Sequence, residues 1–160
     1  MITRTGIGYD VHQLTGGRAL ILGGVEIPHE KGLLGHSDAD VLSHAIADAL
    51  LGAMGEADIG YHFPPSDPSL AGMNSLRILA KAAEILAAKG GVLNNIDATL
   101  IAERPKIRLH VEAMRANIAS ALGIRPDQVG VKATTNERMG FLGREEGMAA
   151  LAVATIQVQG

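Results

Sequence analysis

The chain contains no cysteine, which excludes a disulfide framework and any thiolate metal site. It has no tryptophan, and its only aromatic residues are Tyr9, Tyr61, Phe63 and Phe141. Stacking on single-stranded nucleic acid needs aromatic platforms, and gripping a duplex needs a basic face. With four rings and a formal net charge of −3, the chain offers neither. No basic segment leads into an apolar run at the start, and no apolar stretch reaches membrane-spanning length, so the expectation is a cytoplasmic protein. No repeat or low-complexity linker divides the sequence. Its 160 residues predict one domain, 1–160, with a core of Ala, Leu, Ile and Val. Any phosphate handled by such a chain must be met by metals, backbone amides or a few placed cations.

Alternating apolar positions predict strands over 5–14, 19–27, 95–103, 128–135 and 148–158, with Gly23-Gly24 marking a turn or bulge in the second. Helical spacing predicts three helices. The first lies in HSDADVLSHAIADALLGAMG (36–55), with Ser37 as N-cap and Asp40 at the third position inside. The second covers 74–89, capped by Asn74 and stopped by Gly90-Gly91. The third covers 106–122 and ends at Gly123. The order β-β-α-α-β-α-β-β predicts an α+β fold, a mixed four- to five-stranded sheet with helices packed on one face.

Strand alternation places Asp10 and His12 of GIGYDVHQL on one face and Tyr9, Val11 and Gln13 on the other. A carboxylate and an imidazole so placed are either a salt-linked pair or two ligands lacking a third. Asp40, His44 and Asp48, four apart, share one helical stripe, ordinarily a solvated face. His44 would complete a His-His-carboxylate set with Asp10 and His12, the donor type of a catalytic zinc site with an open fourth position. The alternative is two unrelated histidines and an ion-paired aspartate. His36 and Ser37 stand at the expected helix mouth, where free amides suit phosphate. In the Pro-rich segment 57–72, Asp58 and Asp67 either bind sugar hydroxyls or cap turns. In KATTNERMGFLGREEG (132–147), Thr134, Thr135 and Glu137 at a strand end offer oxygens to a phosphate and a hard cation such as magnesium. Gly140-Phe141-Leu142-Gly143-Arg144 reads as a tight turn presenting one arginine. The Gly6-Ile7-Gly8 run lacks the third glycine and following helix of a dinucleotide fingerprint.

Together GIGYDVH (6–12), KGLLGHSDADVLSHAIADALLGA (31–53), DIGYHFPPSDP (58–68), IAERPK (101–106) and KATTNERMGFLGREEG (132–147) resemble the 2-C-methyl-D-erythritol 2,4-cyclodiphosphate synthase family of the non-mevalonate isoprenoid pathway. The segments span nearly the whole chain in the expected order. The resemblance implies a stand-alone synthase: a lyase that cyclises 4-diphosphocytidyl-2-C-methyl-D-erythritol 2-phosphate and releases CMP. It implies Asp10, His12 and His44 as ligands of zinc or another divalent transition metal, and Glu137 as a holder of magnesium. His36 and Thr135 would stabilise the transition state. Substrate contacts would come from Asp10, Val11, His12, His36, Ser37, Asp58, Ile59, Gly60 and the loop Phe63, Pro64, Pro65, Ser66, Asp67. A cytidine pocket would be formed by Ala102, Glu103, Arg104, Pro105, Lys106, Ile107 and Arg108. It would be joined by Thr134, Thr135, Asn136 and Glu137, with Phe141 and Arg144 completing the site. The family pattern further implies a homotrimer with active sites shared between subunits, and places Tyr9, Arg144 and Glu146 along its axis. In one departure, the loop reads Phe-Pro-Pro-Ser-Asp-Pro where the family often has an acidic residue at position 65, leaving Asp67 as the nearby hydroxyl acceptor.

Overall fold

The computed structural model describes residues 1–160. Strand β1 (Ile2–Thr15) pairs antiparallel with β7 (Gly147–Val158) along almost its whole length. Strand β5 (Val92–Ile101) flanks β7 on the other side, also antiparallel, and β6 (Val129–Thr134) joins β5 in parallel. A two-residue strand, β4 (Gly32–Leu33), closes the far edge, giving the order β4-β1-β7-β5-β6. This is the expected mixed α+β sheet. The break expected at Gly23-Gly24 within the 19–27 strand is a full turn, and the segment is a separate hairpin, β2 (Leu20–Leu22) and β3 (Val25–Ile27). Gly23 and Gly24 both take positive φ there, which breaks the strand into a turn. β1 begins three residues earlier than the sequence pattern indicates. Its first residues carry no inward apolar side chain, and pairing with β7 extends the strand beyond them.

Helices α1 (Val41–Ala53), α3 (Leu76–Ala88) and α4 (Val111–Leu122) cover one face of the sheet; two single-turn helices, α2 (Ile59–His62) and α5 (Gly140–Gly143), sit in loops. Helix α1 is buried nearly all round and lies against β1 and β7. Its N-cap is Asp40, whose carboxylate accepts from Ser43 N, so the expectation of a cap at Ser37 is corrected. Ser37 lies four residues before the helix begins, and its hydroxyl turns to Ala39 N and His44 instead. The third helix starts at Val111 rather than 106, after a 3-10 turn over 108–110; Pro105 and the residues beside it stay irregular. Its end at Gly123, in the left-handed conformation, is as expected. Asn74 does assist the start of α3, accepting from Leu76 N at 2.9 Å, with Ser75 at the cap position.

One core cluster of 39 buried residues lies between sheet and helices. The opposite sheet face has no helix on it. Ile7 is 71% exposed and Tyr9 51%, and they pair across the strands with the partly exposed Val153 and Leu151.

Candidate metal centre and substrate site

The centre arises where β1 crosses α1. Strand alternation turns Asp10 and His12 toward the helix layer, and His44, one turn into α1, meets them. His12 Nε2 lies 2.8 Å from Asp10 Oδ2, His44 Nδ1 lies 3.1 Å from the same oxygen, and the two ring nitrogens are 3.4 Å apart. A tetrahedral zinc with bonds of about 2.0–2.1 Å sets its ligand atoms about 3.3 Å apart, so this triad matches the spacing a divalent ion needs. Two imidazoles and a carboxylate, with no sulfur, suit a borderline metal such as zinc. The three residues fit a metal centre.

The supports of the triad explain the buried stripe of α1, which departs from the solvated face expected. Asp40 is fully buried and accepts four hydrogen bonds, from Gly23 N, Gly24 N, Ser43 N and Ser43 Oγ, pinning the helix start to the β2–β3 turn. His44 is the third member of the triad. Asp48, a turn later, accepts from Ile59 N at 3.0 Å and so ties α1 to the loop carrying the expected substrate contacts. Each polar residue of the stripe holds a different element.

Burial alone would raise the Asp10 carboxyl, but hydrogen bonds from His12 and His44 and the nearby imidazole charges outweigh it and bring its pKa down from 3.8 to about 2. Burial disfavours charge on His12, yet the hydrogen bond and charge of Asp10, with the Leu34 carbonyl, raise it above its ordinary value. In metal-free protein, the stability from Asp10 is therefore present above pH 3.8 and lost as pH falls through about 2. The stability from charged His12 is present below pH 6.5 and lost as pH rises through its raised pKa. A metal requires the imidazole neutral, so loading displaces that proton. Metal affinity, measured by chelator competition between pH 8 and pH 6, is expected to fall by about tenfold per pH unit once below the His12 pKa, with one proton released per ion bound. A flat profile would remove His12 from the ligand set.

The triad lies in a cavity of about 210 Å³, shared with His36, Ser37, Ile59, Gly60, Phe63 and Pro65. His36 Nε2 lies 2.9 Å from the Asp67 carbonyl, which links it to the 63–67 loop. Asp58 and Asp67 both cap turns, accepting from Tyr61 N and Ser69 N, respectively. Pro64 and Ser66 lie in the loop between these caps, half-buried and exposed.

A second cavity, of about 690 Å³, lies at the ends of β5 and β6 and is lined by Glu103, Arg104, Lys106, Thr135, Glu137 and Arg138 among others. Glu137 stands here, with Thr135, and not beside the triad. Glu137 and Arg138 both hold positive φ, and the Glu103 carboxylate accepts from Asn136 N at 2.6 Å and Arg138 N at 3.2 Å to fix that turn. Ala102 donates its N–H to the Thr134 carbonyl. Lys106, Ile107 and Arg108 line an adjoining recess with Ala133. Val11, Phe141 and Arg144 line a third cavity beside His12, where Arg144 pairs with Glu146 at 2.8 Å. The triad cavity and the Thr135–Glu137 cavity share no lining residue.

Sequence reading passed over three supports: the clamp of Glu103 on the 136–138 turn, the pairing of Arg104 with Glu30 and Glu145, and the Ser75 hydroxyl against His44. Each joins segments distant in sequence, and no local spacing announces it.

Residues 3–157 match the YgbB family. A curated relative from Alkaliphilus metalliredigens, named 2-C-methyl-D-erythritol 2,4-cyclodiphosphate synthase, is 60% identical over 153 residues, covering 96% of each chain. Among solved structures, the bifunctional IspDF of Campylobacter jejuni superposes with a TM-score of 0.94 at 41% identity. The match covers 99% of this chain and 43% of that longer one. The CDP complex of Plasmodium falciparum IspF superposes with a TM-score of 0.86 at 33% identity, covering 99% of this chain and 97% of that one. With residues 3–157 matched by the family and 96% of the chain aligned to a relative 60% identical, the chain belongs to the YgbB family.

Proposed function

We infer that this chain is a 2-C-methyl-D-erythritol 2,4-cyclodiphosphate synthase, a cyclising lyase of isoprenoid precursor biosynthesis. Its substrate is 4-diphosphocytidyl-2-C-methyl-D-erythritol 2-phosphate. The observation that carries the reading is the Asp10–His12–His44 triad opening into a cavity, in a chain so similar to synthases of that name.

In the reaction, an oxygen of the 2-phosphate attacks the β-phosphorus of the same molecule's diphosphate; the bond to the α-phosphate oxygen breaks and CMP departs. The nucleophile belongs to the substrate, so the protein needs no activated serine, cysteine or lysine. Its work is to fold the substrate until two anionic phosphates meet, and positioning of that kind lowers the barrier substantially. A divalent ion held by the triad supplies Lewis-acid neutralisation of phosphate charge and a template for the bend. His36 and Ser37 stand beside the triad to receive the phosphates, and the 58–67 loop, tied to α1 through Asp48, holds the methylerythritol portion. Ala102 to Arg108 and Thr134 to Glu137 hold the cytidine diphosphate, with Glu137 offering its carboxylate to magnesium and Phe141 and Arg144 at the margin. Zinc is the metal assigned to the triad.

The two cavities share no residue, and the bare sheet face presents Ile7, Tyr9, Val11, Leu151 and Val153. A homotrimer built on that face, with the triad of one subunit facing the cytidine pocket of the next, accounts for both. We place this one-domain enzyme in the cytoplasm; no helix is long and apolar enough to cross a membrane.

A zinc phosphodiester hydrolase is the rival reading, and it needs a general base. The nearby carboxylates are already engaged: Asp38 with Ser75, Asp40 with the β2–β3 turn, Asp48 with Ile59. Incubation with the diphosphocytidyl substrate, followed by phosphorus NMR, is expected to give CMP and the cyclic diphosphate. CMP with the linear bisphosphate would establish the hydrolase instead, and cytidine diphosphate binding without turnover would make the protein a non-catalytic binder.

Thr135→Ala tests the cytidine-side assignment. It is expected to lower kcat by about 100-fold, the scale of one lost transition-state hydrogen bond, while cytidine diphosphate affinity changes by less than about threefold. Equal losses in both would remove Thr135 from the transition state.

A further inference from the structure

Behind the triad lies a second row of polar groups, the fully buried Ser75 and the half-buried Asp38. His44 Nε2, the nitrogen facing away from Asp10, lies 2.8 Å from Ser75 Oγ. Ser75 Oγ makes a short hydrogen bond to Asp38 Oδ1, and Ser75 N donates to Asp38 Oδ2 at 3.0 Å. Asp38 is itself held by Asp40 N at 3.1 Å. Ser75 is fully buried, yet its hydroxyl makes no capping bond to α3.

We propose that Ser75 and Asp38 are positioning residues that fix the tautomer of His44, so that its Nδ1 lone pair faces the metal. The argument is a count of protons. A carboxylate only accepts, so the single hydroxyl proton of Ser75 goes to Asp38. The Ser75 oxygen, nearer to His44 Nε2 at 2.8 Å than Ser37 Oγ at 3.2 Å, is then left as an acceptor, and Nε2 carries a ring proton toward it. Nδ1, 3.1 Å from Asp10 Oδ2 and 3.4 Å from His12 Nε2, is thus the nitrogen left to give up its proton and lone pair to a metal that binds between them.

His12 solves the same problem differently. Its Nδ1 lies 2.8 Å from the Leu34 carbonyl, an obligate acceptor, so one contact keeps Nδ1–H in place when a metal displaces the proton that Nε2 shares with Asp10. A serine hydroxyl can donate or accept and decides nothing alone. Asp38 is what makes it decide. The relay also joins the loop before α1 to the start of α3, so metal affinity is coupled to how those two segments pack.

The inference rests on the triad being a metal centre, and the test separates the two. In zinc-loaded wild-type protein, long-range ¹H–¹⁵N correlation of the imidazoles is expected to show His44 bound through Nδ1 with its proton on Nε2, and His12 bound through Nε2 with its proton on Nδ1. Zinc is then titrated against a chromophoric chelator. Ser75→Ala is expected to weaken zinc binding by about 10- to 100-fold, the usual effect of removing a partner behind a metal-bound histidine, and to speed solvent exchange of the His44 Nε2 proton while the His12 Nδ1 proton is unchanged. Asp38→Asn is expected to do the same. When its amide group faces Ser75 Oγ it donates there, the hydroxyl proton turns to Nε2, and the Nδ1–H form that cannot bind metal is favoured. Wild-type protein that binds no zinc would overturn the metal centre itself. Wild-type binding with unchanged affinity in both variants, or a zinc-loaded wild-type His44 bound through Nε2, would overturn the relay.

Discussion

His44→Ala is expected to abolish stoichiometric metal and to cut turnover by at least about 1,000-fold while the protein stays folded. The size follows from what is lost. A Lewis acid stabilises developing phosphate charge by several kcal/mol, and each 1.36 kcal/mol is about tenfold in rate. The fold survives because the groups left behind keep partners. Asp10 still accepts from His12 at 2.8 Å, and the Ser75 hydroxyl still donates to Asp38. No buried donor or acceptor is stranded, so the heavy cost of an unsatisfied group does not arise.

Two readouts make the result decisive. Elemental analysis of the purified variant should find much less than one ion per chain. Zinc should raise the melting temperature of the wild-type protein, since an ion at 100 times its Kd stabilises the native state by about 2.7 kcal/mol, and should leave that of the variant unmoved. A variant that keeps one zinc per chain would show that Asp10 and His12 bind the ion without His44. A variant that loses zinc but keeps its turnover would remove the metal from the reaction.

How far the sequence revealed this site depends on whether each feature is local. Asp10 and His12 are two apart on a strand, and alternation alone set them on one face. His44 is 32 residues beyond His12, and only its helical position made it a candidate; its arrival at Asp10 depends on where α1 packs. Gly23-Gly24 was legible as a break because positive φ favours glycine. The cap of α1 was misread because Ser37 is as good an N-cap by type as Asp40. What favours Asp40 is its reach to Gly23 N and Gly24 N on a separate hairpin, which no spacing rule records. The buried stripe was misread for the same reason. Polar residues four apart look solvated until the three elements they hold are in place. Glu103, Ser75 and the positive φ of Glu137 and Arg138 are likewise consequences of tertiary packing.

The contact between β1 and α1 therefore sets the ligand distances, and two glycines set that contact. A Cβ placed on Gly8 would lie 1.9 Å from the Ala45 carbonyl oxygen and 2.7 Å from Ala49 N, and one on Gly6 would lie 2.0 Å from the Ala49 carbonyl oxygen. The obstacles are helix backbone, which cannot turn aside as a flexible side chain can. Gly8→Ala must push α1 off β1 by about 1.5 Å to reach ordinary contact, opening the layer where Ala45, Ala49 and Ala152 pack. Overpacking of this kind costs about 3 kcal/mol, or roughly 6–12 °C in melting temperature for a chain of this size. His44 precedes Ala45 on the displaced helix while Asp10 and His12 stay on the strand. Any Gly8→Ala protein that folds should therefore also bind zinc at least about tenfold more weakly, a change similar in size to losing a supporting partner. Gly52→Ala is the control from the same helix. A Cβ there meets nothing nearer than the Ile7 carbonyl oxygen at 3.7 Å, so the change relieves a helical glycine and should be neutral or stabilising by about 0.5–1 kcal/mol, with zinc affinity unchanged. Equal effects of the two substitutions would mean that the close approach at Gly8 does not set the metal geometry. Loss of affinity at Gly8 alone, read beside an intact Gly52→Ala protein, ties the chemistry of the triad to one missing methyl group on the strand beneath it.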